Sequence, residues 1–238
     1  MKKVILSIAL LFLLASTAMA QLDRVEIKTD YSIGLSERLA VKNSSSMGVI
    51  ASLRFKLGEN LGISLNSGFQ QYSFSQDSSL AQWDWRYWNY YYEFVQTTLT
   101  EDEYSAVLSP FQKMDVIPVF LTVDYSFTIN ETVTISPELG GGIMFFTRRF
   151  YVTEDWARDF ESIDYRFAYS FRNIGPEKSG NPVFFTAGIN CDYEFSEDYF
   201  LSAAVNYRHI LNTGENLGYN LFPLENSISF NLGLGFGY

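Results

Sequence analysis

Ile228-Ser229-Phe230-Asn231-Leu232-Gly233-Leu234-Gly235-Phe236-Gly237-Tyr238 alternates throughout: every even position is apolar and every odd one is Ser, Asn or Gly. Side chains of an extended strand point to opposite faces with a period of two, so this stretch is a strand with one greasy and one small polar face. A soluble sheet would turn the greasy face inward and follow it with polar residues, whereas this run stops on an aromatic one. It reads as the closing strand of a membrane barrel.

Asn231, Gly233, Phe236 and Tyr238 fall where the outer-membrane assembly signal places its polar residue, its Gly and its last hydrophobic or aromatic residues. On these residues the chain resembles the outer-membrane β-barrel proteins, most closely the small porin-like eight-stranded barrels of OmpA/OmpX type. The resemblance implies the outer membrane of a Gram-negative bacterium, contact with outer-membrane lipid, and insertion by the barrel assembly machinery through this strand.

The other end fits an exported chain. Met1-Lys2-Lys3, the apolar run Val4 to Leu14 and Ala18-Met19-Ala20 form a basic start, a short greasy core and an A-x-A cleavage site. Residues 1–20 therefore read as a signal peptide, and 21–238 as one barrel domain. The mature chain has no apolar run of about 18 residues, so a spanning helix is not expected and strands must cross instead. The net charge is −10, and losing Lys2 and Lys3 makes it −12. Such an acidic chain repels phosphates, which argues against nucleic acid as a partner. Cys191 is the single cysteine, at a lipid-facing parity, and no Cys/His pattern suggests a metal; no cofactor is expected.

Seven more alternating segments precede the closing strand: Arg24 to Val41, Val49 to Leu57, Leu61 to Phe69, Ile117 to Phe127, Val133 to Phe145, Val183 to Phe195, and Tyr199 to Tyr207. Each is long enough to cross a bilayer obliquely, which takes roughly 9–11 residues. Connections after the second, fourth and sixth are short; those after the third, fifth and seventh are long. The expected fold is all-β: an eight-stranded antiparallel up-and-down transmembrane β-barrel with short periplasmic turns, long external loops and both termini in the periplasm. Phe55, Tyr125, Phe127, Tyr193, Phe195, Tyr199, Phe236 and Tyr238 would form an aromatic girdle at the short-turn end. Two alternatives stay open. A soluble lipocalin-type barrel shares the alternation, though its polar face should be richer in Lys and Glu, and a hairpin within a long loop would give ten strands.

The polar face carries Glu26, Lys28, Asp30, Arg38, Arg54, Lys56, Asp124, Glu138, Asp192, Glu194 and Arg208. An eight-stranded barrel is just wide enough to be filled by side chains, so these nearly balanced charges are expected to form a lumen network that blocks passage. Asp192 and Glu194 share a face, but neighbouring cations satisfy them more cheaply than a bound ion would. A narrow channel or carrier for small solutes is the alternative. A lipid-modifying enzyme is a third: Arg208-His209-Ile210-Leu211-Asn212 resembles the His-x-Ser-Asn segment of lipid A deacylase barrels, but Leu211 stands at the nucleophile position and leaves His209 nothing to activate. No catalytic residue is therefore assigned.

The first long excursion, from about Ser75 to Met114, packs Trp83, Trp85, Tyr87, Trp88, Tyr90, Tyr91, Tyr92 and Phe94 together. With Trp156 from the second excursion (about Arg148 to Asn181) they suggest either loop mini-cores or a recognition surface for a surface protein, a glycan or a small apolar ligand. Thr100 and Glu103 have capping-box spacing before Tyr104, which predicts a short helix ended by Pro110. Ile163, Tyr165, Phe167, Tyr169 and Phe171 alternate and predict sheet above the membrane, whose edge could capture a partner strand.

Overall fold

The computed structural model of the chain describes residues 21–75, 83 and 85–237. The signal-peptide assignment to residues 1–20 and the aromatic terminus Tyr238 lie outside the described residues. The elements are β1 (Gln21–Glu37), β2 (Lys42–Lys56), β3 (Leu61–Ser75), α1 (Arg86–Thr98), β4 (Tyr104–Tyr125), β5 (Phe127–Asn130), β6 (Val133–Phe160), β7 (Tyr165–Ile174), β8 (Lys178–Gly180), β9 (Val183–Glu194), β10 (Tyr199–Ile210) and β11 (Leu224–Gly237).

Eight strands form a closed antiparallel ring in the order β1-β2-β3-β4-β6-β9-β10-β11, with β11 returning to β1. The closing register runs from Arg24↔Gly237 to Gly34↔Ser227 before it slips at Ser36. Closure matters because an open edge would leave backbone N–H and C=O groups unpaired in lipid. The period-two pattern then does the sorting. Ile27, Leu53, Leu65, Leu121, Leu139, Ile189, Leu201 and Leu232 are exposed on the outside, while Asp30, Ser52, Asn66, Thr122, Asn190 and Asn231 are buried inside. This is the inverse of a soluble barrel, so the ring is a transmembrane β-barrel. Cys191 is exposed on the apolar exterior.

Both ends of the apolar band are marked. At the short-turn end Tyr125 and Phe127 (ring centroids 4.8 Å), Phe195 and Tyr199 (6.4 Å), and Tyr199 and Phe236 (5.4 Å) cluster as a girdle. At the long-loop end Arg149 pairs with Asp115 and with Glu177 (2.8 Å), and Gln71 donates to Asp115 at 3.0 Å, forming a polar belt.

Beyond that belt the wall continues. The β4–β6 ladder runs without a register shift from Asp124↔Glu138 to Tyr104↔Arg158, and β7 extends it from Tyr151↔Ile174 to Phe160↔Tyr165. The added strand thus lies above the ring, which stays eight-stranded. The sheet expected from Tyr165 to Phe171 is present. The short helix expected between Thr100 and Pro110 is not: Thr100 closes α1 instead, its amide and hydroxyl both donating to the Thr97 carbonyl (3.1 and 2.6 Å). Residues from Tyr104 alternate in the strand period. Asp159 N–H donates to the Glu103 carbonyl, so odd residues of β4 face β6 and Pro110, at even parity, costs no ladder bond there.

Candidate functional site

The lumen half nearest the short turns is a charge network. Arg54 donates to Asp124 (2.6 Å from Nη2) and to Ser126 Oγ (3.0 Å), and also pairs with Asp23. Asp23 has lipid-facing parity, but β1 carries an irregularity between Leu22 and Arg24 that re-aims it, as bulges do. Arg24 donates to Asp192 (2.7 Å) and Glu194 (3.2 Å), and Lys28 pairs with Glu26 (2.6 Å) and reaches Asn190 (3.4 Å). Glu138 faces the same small cavity of about 30 Å³. That volume holds on the order of one or two waters.

Asp30 is the hub one level higher. Its fully buried carboxylate accepts from Ser32 Oγ (2.7 Å), Gln70 Nε2 (2.6 Å), Asn231 Nδ2 (2.8 Å) and Arg208 Nη2 (2.9 Å). Four donors, one of them charged, offset the desolvation of this anion. The partner Arg208 is itself only 2% exposed.

Above this pair the lumen changes chemistry. Ile50, Tyr72, Met114, Phe120, Met144 and Phe184 fill it as an apolar plug. The connection between β10 and β11 folds down onto that plug, burying Tyr219 and Phe222. The Phe146 and Phe222 rings meet edge-on at 5.2 Å, Arg38 lies 3.9 Å over the Tyr219 ring, and Arg148 donates to the Leu221 carbonyl at 3.3 Å. Leu217 and Gly218 both take left-handed conformations to turn the segment inward. Gly218 is needed for a second reason: its Cα would stand 2.8 Å from a Cβ at position 180, so two glycines meet there.

A dome covers the plug. Trp83 stacks on Phe150 at 5.2 Å and Trp85 on Trp88 at 5.6 Å, and Val152 completes their core. Helix α1 turns Trp88 to this core and buries Val95 two helical turns on along the same face, and leaves Tyr87, Tyr90 and Phe94 outside. Glu154, fully buried, joins helix to sheet: it accepts from Tyr91 Oη (2.9 Å), Trp156 Nε1 (2.8 Å) and Asn173 Nδ2. Burial, and next the Glu154 carboxylate, hold the Tyr91 phenol well above its ordinary range.

The structure therefore divides the residues singled out in the sequence. Glu26, Lys28, Asp30, Arg54, Asp124, Glu138, Asp192, Glu194 and Arg208 face the lumen, Glu194 at its rim. Arg38 and Lys56 do not belong to that network: Arg38 lies past the end of β1 against Tyr219, and Lys56 is exposed at the end of β2. Asn231 binds the Asp30 hub, Gly233 lies against Lys28, and Phe236 joins the girdle. Among the aromatics, Trp83, Trp85, Trp88 and Trp156 are buried, whereas Tyr87, Tyr90, Tyr92 and Phe94 are exposed, Tyr90 by 66%. Asp23 and Arg24 were missed. Arg24 shares the parity of Glu26 and was legible; Asp23 was not, because a bulge leaves no mark in alternation. His209 Nδ1 lies 2.7 Å from Asn226 Oδ1, and Leu211 is exposed beyond it. Among the described residues no group of His, Cys, Asp and Glu has the arrangement of a metal site.

No family model and no curated protein matches the chain. Among solved structures, Neisserial surface protein A aligns at 10% identity and TM-score 0.48, over 90% of this chain and 96% of its own. The outer membrane protein OprG of Pseudomonas aeruginosa aligns at 11% and 0.46 (92% and 97% covered). Ail, the attachment invasion locus protein of Yersinia pestis, aligns at 12% and 0.39 (92% and 100%).

Proposed function

We propose that the chain is an outer-membrane protein of a Gram-negative bacterium that works by surface contact rather than by transport or catalysis. Residues 1–20 are its export signal. The short turns and both termini lie in the periplasm, the dome lies outside, and the β11 strand is what the assembly machinery reads. The observation that carries this reading is the stacking of unlike layers along one axis: ion pairs, an apolar plug, an inserted loop and an aromatic core. A path for solute would have to disrupt all of them. What remains available is the outer face of the dome, where Tyr87, Tyr90, Tyr92 and Phe94 present rigid amphipathic rings suited to a surface protein, a glycan or a small apolar ligand. His209, with Leu211 where a nucleophile would stand, supports a non-enzymatic role.

Two readouts test the proposal. In a Cys191→Ser background, Tyr90→Cys should react with a membrane-impermeant maleimide on intact cells, while Glu59→Cys in the β2–β3 turn should react only after the outer membrane is opened. Combined Tyr87→Ser, Tyr90→Ser and Phe94→Ser should reduce adhesion of expressing cells to protein- and glycan-coated surfaces to the level of cells lacking the protein. Labelling of Glu59→Cys on intact cells, or undiminished adhesion, would overturn it.

A further inference from the structure

Strand β7 ends the protruding sheet. Among the described residues it pairs with β6 alone, and Gly175 N–H donates to the Phe150 carbonyl at 2.9 Å in the same register. In an antiparallel ladder the residues that bond a given neighbour alternate, so the odd positions of β7 bond β6. Arg166, Ala168, Ser170 and Arg172 therefore direct their backbone N–H and C=O groups to the open edge. Natural edge strands are usually blunted by charged side chains, Pro or a bulge. β7 has no Pro and no register shift against β6, and its only charges, Arg166 and Arg172, are of one sign and sit near its two ends, leaving Phe167 to Phe171 uncharged. Its odd face carries Tyr165, Phe167, Tyr169 and Phe171 in a row, all substantially exposed, with Tyr169 and Phe171 stacked at 6.1 Å.

We propose that this edge pairs antiparallel with the β7 edge of a second copy of the chain seated in a facing membrane. The partner is argued from self-complementarity. Centred on Ala168, the pairing sets Tyr165 opposite Phe171 and Phe167 opposite Tyr169 twice over and Arg166 opposite Ser170, and it brings Arg172 beside Asp164, the left-handed residue that closes the preceding turn just outside the ladder. Cross-strand aromatic pairs and opposite charges both favour a register. Moving the centre to Tyr169 places Arg166 opposite Arg172, and moving it to Phe167 loses the Asp164 pair. The opposed membranes follow from symmetry. An antiparallel pair that keeps its side-chain faces is related by a two-fold axis normal to the sheet; since this sheet continues the barrel wall, the rotation reverses the barrel axis. Ala168 lies opposite Ala157, ten residues past Thr147 on β6. That is roughly 33 Å of strand and ~25 Å of height at a tilt of about 40°, enough to clear the polar belt.

This inference rests on the dome facing outward, and the test separates the two. Purified protein is reconstituted in phosphatidylcholine vesicles, and clustering is followed by turbidity with Ala168→Cys (Cys191→Ser background), Ala168→Pro, Arg172→Asp and Asp164→Arg/Arg172→Asp. Narrow antiparallel pairs stand about 5.5 Å apart at Cα, within disulfide range. Expected are clustering by wild type, an oxidant-dependent Ala168→Cys homodimer, loss of clustering in Ala168→Pro, which removes an edge donor without touching the β6 ladder, and in Arg172→Asp, and its recovery in the charge swap. Clustering by Ala168→Pro equal to wild type, or cross-linking of the Ala168→Cys variant to a different polypeptide in whole cells, would overturn self-pairing. If impermeant maleimide labels Ala168→Cys on intact cells but vesicles stay dispersed, pairing fails and the outward dome stands; if the label does not reach it, both fail.

Discussion

The two halves of the lumen solve the same problem by opposite chemistry. Near the short turns, ion pairs converge on a cavity with room for a water or two; toward the loops, aromatic and Met side chains fill the same barrel and a loop closes over them. The Asp30–Arg208 pair lies at the junction, with the Arg208 guanidinium 6.0 Å from the Phe120 ring. The difference teaches that one lumen can be filled by two independent means. A buried charge network resists only while every member is paired, whereas an apolar plug resists in proportion to how well it is packed.

Breaking the junction should have the largest effect. Asp30→Leu leaves Arg208 as an uncompensated buried charge and should cost about 3–5 kcal/mol in urea unfolding of the bilayer-inserted protein. The double variant Asp30→Leu/Arg208→Met should recover the part of that loss due to the stranded charge, leaving the cost of Ser32, Gln70 and Asn231 deprived of their acceptor; no recovery would mean that the polar half holds the barrel shape in some other way. Phe184→Ala, in the plug, should cost about 3 kcal/mol through its cavity, with no partner substitution able to restore it except a larger side chain.

Smaller effects distinguish the dome from the lumen. Glu154→Gln keeps the shape of the hub but leaves one acceptor oxygen where there were two, so an N–H₂ must face either Asn173 or the Tyr91 and Trp156 donors; a cost of about 1–3 kcal/mol should fall on the dome. Hydrogen exchange should quicken in residues 86–98 and stay unchanged in the ring. The smallest effect is with pH. Because burial and Glu154 raise the Tyr91 pKa above its unfolded value, its contribution is intact below about 10 and is lost only as pH climbs through the raised value. Tyrosinate absorbance compared between wild type and Tyr91→Phe should show this one phenol titrating late.

The ring was legible because lipid imposes the strictest alternation a chain can carry: Ile228 to Phe236 outside, Ser229 to Gly235 inside. The apolar plug was not. At Phe120-Leu121, Phe145-Phe146 and Phe184-Phe185 both faces are greasy, so the alternation vanishes where the plug begins. The inserted loop was equally silent, since Tyr219 and Phe222 read as ordinary loop residues until Gly180 and Gly218 are seen to touch. In the dome, aromatic density pointed to the right segment but could not divide its buried indoles from its exposed phenols. Helical phase does: Trp88 and Val95 face in, Tyr87, Tyr90 and Phe94 out. The Thr100–Glu103 spacing misled because a capping box needs a helix period after it, and the residues that follow alternate as a strand.

Single-channel recording in planar bilayers tests the doubly closed lumen most directly. Wild type, Asp30→Leu and Phe184→Ala should each insert without conductance steps, because either layer closes the barrel when the other is damaged. Stable, reproducible steps from the wild-type protein would contradict the account.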